Sequence, residues 1–181
     1  MRTESTRAGE RLEILLSPDQ IDARIDELAA QIRSDYGSAS ILLVGVLKGS
    51  YMFLSELSRR IAGPVTIDFV QTSSYGDQKS SSGVVQIRKD LDVNIEGMDV
   101  LLVEDIVDTG ATLAHLRELF ATRKPKSIRV VTLLSKPEAH KTPTPVEYVG
   151  FEIPNSFVVG YGLDYGERFR NLPYVALFLE D

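Results

Sequence analysis

The sequence predicts an α/β fold: a mostly parallel, twisted sheet flanked by helices, with a small additional lobe. Three observations carry this. A continuous apolar run rich in branched residues at 41–46 and two mostly apolar segments at 100–107 and 127–134 read as strands, the first two with the pattern of burial on both faces. Single helical stretches separate them, which implies right-handed crossovers and helices on both faces of the sheet. At 181 residues, with 43% hydrophobic and 25% charged side chains, the chain suits one domain with a core of its own.

The elements follow in order. Residues 1–10 carry mixed charge without periodicity and are expected to be a mobile tail. Ser17 can cap a helix with Pro18 in its first position and Gln20 in its third. Ile21, Ile25, Leu28 and Ile32 then share one face before Gly37 ends it. ILLVGV (41–46) reads as a buried strand and residues 51–61 as a helix. VTIDFVQ (65–71) and VVQIRKD (84–90) alternate in part and flank the polar insert TSSYGDQKSSSG (72–83). VLLVEDIV (100–107) is a second buried strand leading through Asp-Thr-Gly into a helix over 112–122, and SIRVVTLL (127–134) is the next strand. After Lys136 come prolines and two short strand patterns, EYVGFEI and FVVGYG. These do not continue the alternation and are expected to form the small lobe, contributed by about 137–181.

Composition narrows the function. With no cysteine, disulfides, thiolate nucleophiles and Cys-containing zinc sites are excluded, and a cytoplasmic location is expected. The longest apolar run, 41–47, is too short to cross a bilayer, and the first residues lack a signal-peptide core. A net charge of −6 without a long Lys/Arg cluster disfavours nucleic acid and points to small-molecule partners. GxxxxGK[ST], HExxH and GxSxG are absent, the glycines of GYGLDYG are misspaced for a dinucleotide fingerprint, and His115 and His140 read as surface and loop residues.

In an open parallel sheet, ligands bind beyond the carboxyl ends of the strands. Three segments lie there. In VLLVEDIVDTGATL (100–113) an apolar strand ends in Glu104 and Asp105, Asp108 follows, and Thr109, Gly110, Ala111 and Thr112 lead into a helix. Small side chains, hydroxyls and free amides at a helix N-terminus cradle phosphate, and the acidic pair can accept hydrogen bonds from a polyol. A lone Asp-Thr-Gly reads equally well as a helix cap; the length of the string favours the site. In LKGS (47–50), Lys48 and the Gly49 amide can meet an anion, although such a turn is also common after any strand. The insert containing Ser74 and Tyr75 is either a surface linker or a lid.

The 100–113 string resembles the phosphoribosyl pyrophosphate-binding motif of type I phosphoribosyltransferases. The segment 149–170, VGFEIPNSFVVGYGLDYGERFR, resembles the base-binding segment of the hypoxanthine-guanine branch. The resemblance covers most of the chain from about residue 41. It implies the type I fold with a hood over the sheet, and purine salvage in which a 6-oxopurine base receives the 5-phosphoribosyl group with magnesium assistance. By the same resemblance 47–50 is the pyrophosphate loop, with any non-proline cis peptide falling between Leu47 and Lys48. Residues 72–83 form the catalytic loop with its Ser74–Tyr75 pair. Glu104 and Asp105 grip the ribose hydroxyls, 108–112 bind phosphate, and Asp108 is the general base. Lys136 donates to the purine 6-oxygen, Phe157 stacks on the base and Val158 meets its edge through the backbone. Asp164 lies by base, metal and pyrophosphate, and Arg170 contacts pyrophosphate. Magnesium is expected near Glu104, Asp105 and Asp164, and a homodimer or homotetramer is implied. Ala111 and Ser156 stand where mammalian members carry lysine, which leaves base preference open. Two alternatives remain: a xanthine-preferring transferase, and a nucleotide-sensing, RNA-binding regulator of the same fold.

Overall fold

The structure is a computed structural model and describes residues 3–5, 11–74 and 85–179. Six strands form the main sheet: β3 (Ile41–Leu47), β4 (Val65–Ser74), β5 (Val85–Lys89), β6 (Asp99–Val107), β7 (Ser127–Ser135) and β8 (Tyr148–Glu152). Their order is β5-β4-β3-β6-β7-β8. All neighbours are parallel except β5, which runs antiparallel to β4 at one edge. From β3 the chain builds outward to β4 on one side and later to β6, β7 and β8 on the other. The topological switch point therefore falls between β3 and β6.

The helices cover both faces. α1 (Pro18–Tyr36) and α2 (Tyr51–Arg60) pack on one, and α3 (Ala111–Ala121) on the other. α1 begins as its sequence predicts. Ser17 Oγ accepts from the Gln20 amide at 3.3 Å and Gln20 Oε1 accepts from the Ser17 amide at 2.9 Å, a reciprocal cap that satisfies two otherwise orphaned donors. Ile21, Ile25, Leu28 and Ile32 are fully buried, each contributing about 1.5–3 kcal/mol of apolar burial. Along β6, alternation sends Leu101 and Val103 into the core beneath α1 and α2, and Val100 and Leu102 into the core beneath α3.

A second sheet, antiparallel throughout, is ordered β1 (Thr3–Ser5), β2 (Arg11–Leu16), β10 (Val175–Leu179), β9 (Val158–Val159). Three expectations are corrected here. The segment 1–10 is not wholly a tail, because Thr3–Ser5 pairs with the free edge of β2 and so satisfies backbone groups there. The 148–152 run belongs to the main sheet beside β7 rather than to the small lobe, because its parallel register with Val131–Ser135 closes that sheet's edge. The lobe instead takes a strand from the N-terminal side, β2, whose Leu12 and Leu16 are buried. The insert expected over 72–83 begins later, since Thr72–Ser74 extend β4 against β5; its remainder, with Tyr75, lies outside the described residues. No helix among the described residues is long and apolar enough to cross a membrane.

Candidate active site

The segments singled out by the sequence meet at the carboxyl edge of the main sheet, around the switch point. β3 ends in Leu47, joined to Lys48 by a cis peptide bond. Gly49 lies directly against the Asp105 carboxylate: a β-carbon added at Gly49 would overlap Asp105 Oδ2. Gly162, at φ +101°, lies against the Gly49 carbonyl, which a β-carbon there would strike. Asp105, Gly49 and Gly162 thus stack three chain segments so closely that two of them must be glycine.

Glu104 and Asp105 are adjacent on β6 and so point to opposite faces. Glu104 opens toward α3, lining a cleft of about 80 Å³ with Asp108, Thr109, Gly110 and Thr112. That volume suits a single small polar group rather than a whole nucleotide. The Glu104 carboxyl is 7% exposed and its Oε2 has no hydrogen-bond partner. Burial, and then the neighbouring Asp105 charge, push its pKa well above the usual carboxylate value. Asp105 turns toward Gly49 and the hood, and burial raises its pKa to about 6 although the Ile106 amide donates to Oδ1 at 2.8 Å. Both carboxyls are dehydrated acceptors.

The turn before α3 is fixed from outside. Gly110 has φ +84°, and a β-carbon there would lie 2.7 Å from the Thr142 carbonyl. The Lys141 and Thr142 amides donate to the Thr109 carbonyl at 3.0 and 3.1 Å. The Ala111 amide reaches Thr109 Oγ1 at 3.4 Å. At the end of β7, Lys136 is 7% exposed, and its ammonium lies 3.8 Å from Asp108 Oδ2. The two residues expected to serve as base and as donor to the purine oxygen are therefore neighbours.

On the hood side, Arg170 donates to the Gly162 carbonyl at 2.8 Å and pairs with Asp164 at 2.8 Å, while its buried Nε has no partner. Lys48 pairs with Glu167 at 3.1 Å, and Glu167 also approaches Arg170 at 3.4 Å. The Lys48 hydrogen bond holds the Glu167 carboxyl below its ordinary value. Phe157 is 52% exposed, with edge contacts to Tyr165 and Phe178, which stack on each other at 4.5 Å. A solvated aromatic face of this kind can stack a flat ring. Val158 is buried beside it in β9. Ser74 ends β4, and Tyr75 lies outside the described residues.

Three groups result: Lys48, Gly49, Asp105, Asp164 and Arg170; Glu104, Asp108, Lys136 and the 109–112 turn; and Phe157 with Val158. Sequence reasoning missed Gly162 and Glu167. The glycine density of GYGLDYG was a signal for the first; for Glu167 the sequence carries none, because its partner Lys48 is 119 positions away. The expected metal acids present hard oxygens, including the unpartnered Glu104 Oε2, which fits magnesium. Among the described residues they do not converge as a cage of three or more ligands, so substrate oxygens would have to complete the coordination.

This fold is that of a phosphoribosyltransferase. The family model for the phosphoribosyl transferase domain matches residues 13–166. The chain is 49% identical over 164 residues to the hypoxanthine-guanine phosphoribosyltransferase of Bacillus subtilis, covering 91% of each. It is 48% identical over 167 residues to the hypoxanthine phosphoribosyltransferase of Salmonella typhimurium, covering 91% of this chain and 94% of that one. A crystal structure of a hypoxanthine-guanine phosphoribosyltransferase from Bacillus anthracis superimposes with a TM-score of 0.89 at 47% identity, covering 92% of this chain and 98% of that one. The chain belongs to the hypoxanthine-guanine phosphoribosyltransferase family.

Proposed function

We propose that this enzyme transfers the 5-phosphoribosyl group of phosphoribosyl pyrophosphate to a ring nitrogen of hypoxanthine or guanine. A carbon–nitrogen bond forms at ribose C1, the bond from C1 to pyrophosphate oxygen breaks, and the proton leaves the base. The observation that carries this reading is the packing, at one switch point, of a cation-bearing turn (Lys48–Gly49) against a dehydrated acidic pair that leads into a braced anion cradle (104–112), with Gly162 of the hood seated on Gly49.

The roles proposed are those that the family resemblance implies. The amides of 109–112 and the hydroxyls of Thr109 and Thr112 receive the 5-phosphate. Glu104 and Asp105 accept from the ribose hydroxyls. Phe157 stacks on the purine, and the Val158 backbone meets its edge. Lys136 donates to the 6-oxygen, and Asp108 beside it takes the proton from the base. Lys48 and Arg170 stabilise the departing pyrophosphate. Magnesium bound with the substrate, near Glu104, Asp105 and Asp164, would neutralise charge on its oxygens. We place the enzyme in the cytoplasm as a homodimer or homotetramer of a single domain. The regulator and xanthine readings are not favoured, since the relatives are named as hypoxanthine and hypoxanthine-guanine transferases.

The test is base choice. A buried ammonium facing the amino group of adenine leaves donors unpaired, so adenine should react at least about a hundred-fold less efficiently than hypoxanthine or guanine. Ultraviolet assays with four bases check this. Equal use of adenine would contradict the role given to Lys136, and fastest use of xanthine would revive that alternative.

A further inference from the structure

The Gly166–Glu167 turn is placed with more care than a surface loop requires. Tyr165 and Arg168 exchange backbone hydrogen bonds of 3.1 Å around it, and both central residues have positive φ, +57° at Gly166 and +66° at Glu167. Such a turn suits glycine or asparagine at its second position; a glutamate there is conformationally disfavoured. That backbone delivers the Glu167 carboxylate to Lys48, 119 positions away in sequence, at 3.1 Å, and to Arg170 at 3.4 Å, through the same oxygen. The Glu167 amide meanwhile donates to Asp164 Oδ2 at 2.8 Å.

Resting on the function proposed above, we infer that Glu167 is an internal counter-anion that competes with pyrophosphate for Lys48 and Arg170. One carboxylate oxygen holds both cations assigned to the leaving group. A pyrophosphate reaching them must displace or share that oxygen. The Glu167 side chain is 64% exposed, so it can swing into solvent while the turn stays in place. Its return as pyrophosphate departs keeps Lys48 and Arg170 aimed at the site and shortens the residence of the product. Glu167 is thus a positioning residue that sets the affinity for pyrophosphoryl groups.

The test is calorimetric titration of the full-length enzyme with inorganic pyrophosphate and magnesium, beside the KM for phosphoribosyl pyrophosphate. Glu167→Gln removes the charge and keeps the shape. Glu167→Gly removes it and also relieves the left-handed backbone, which covers the case of a misfolded first variant. Each should tighten pyrophosphate about three- to ten-fold, the range expected for losing two partly solvated ion pairs. KM should fall in parallel without a rise in kcat. In a Lys48→Gln background the tightening should shrink, which a merely structural role of the turn would not produce. Unchanged or weaker pyrophosphate binding in both variants of an enzyme that still forms nucleotide would overturn the inference alone. A wild-type protein that neither binds pyrophosphate nor forms nucleotide would remove the functional reading and the inference with it.

Discussion

Asp105 shows how a single carboxyl can serve the site at the expense of the fold. Its pKa lies near 6, above the ordinary 3.8, because burial disfavours the charge. Between these values the folded chain holds the proton more firmly than the unfolded chain. Stability therefore falls as pH rises from about 4 to about 6, by on the order of 3 kcal/mol. Asp105→Asn should then melt several degrees higher than wild type near pH 8 in metal-free buffer, with the gap closing near pH 4, while transfer activity drops. Thermal unfolding across that range checks this, and a gap independent of pH would contradict it. At this scale the sequence was informative wherever the chemistry comes in runs. The acids and small residues of 104–112 could be read because they are contiguous. Glu167 could not, because its partner Lys48 is adjacent only after folding.

Asp68, on β4, has the opposite balance. Burial at 5% exposure would raise its pKa. The amides of Phe69, Asp92 and Val93 at 2.6, 2.8 and 3.2 Å, with Lys89 at 3.6 Å, more than offset this and hold it below the usual value. Its stabilisation is present above the unfolded value and lost as pH falls through the folded one. Because this carboxylate ties β4 to β5 and to the chain leading toward β6, Asp68→Ala should cost about 3 kcal/mol, with Asp68→Asn costing less. Denaturant unfolding at neutral pH measures both; an unchanged midpoint in the alanine variant would refute the clamp. Legibility varied among elements for a physical reason. The capping box of α1 and the runs of β3, β6 and β7 are local signals. Residues 148–152 carry the same short-strand pattern whether they join the parallel sheet or the hood, and only the register with β7 decides. β2 depends on a partner strand, Val175–Leu179, at the far end of the chain, and β1 depends on β2 in turn.

For the molecule as a whole, strand order makes the site. β3 and β6 are neighbours, and the chain leaves them toward opposite sides, so the turns after both open into one crevice. The hood reaches that crevice through 160–170, with Gly162 seated on Gly49 and Glu167 on Lys48. Sequence pattern predicted the sheet, and it singled out the turns that gather at one of its edges. It did not predict that the hood needs strands from both ends of the chain, since such pairing leaves no local periodicity. The central claim, phosphoribosyl transfer at this crevice, is tested most directly by incubating the purified protein with phosphoribosyl pyrophosphate, magnesium and hypoxanthine, and measuring nucleotide and pyrophosphate together. Equimolar formation of inosine monophosphate and pyrophosphate is expected, with Asp108→Asn slower by about a hundred-fold or more. Failure to form nucleotide, or an Asp108→Asn enzyme as fast as wild type, would contradict the account.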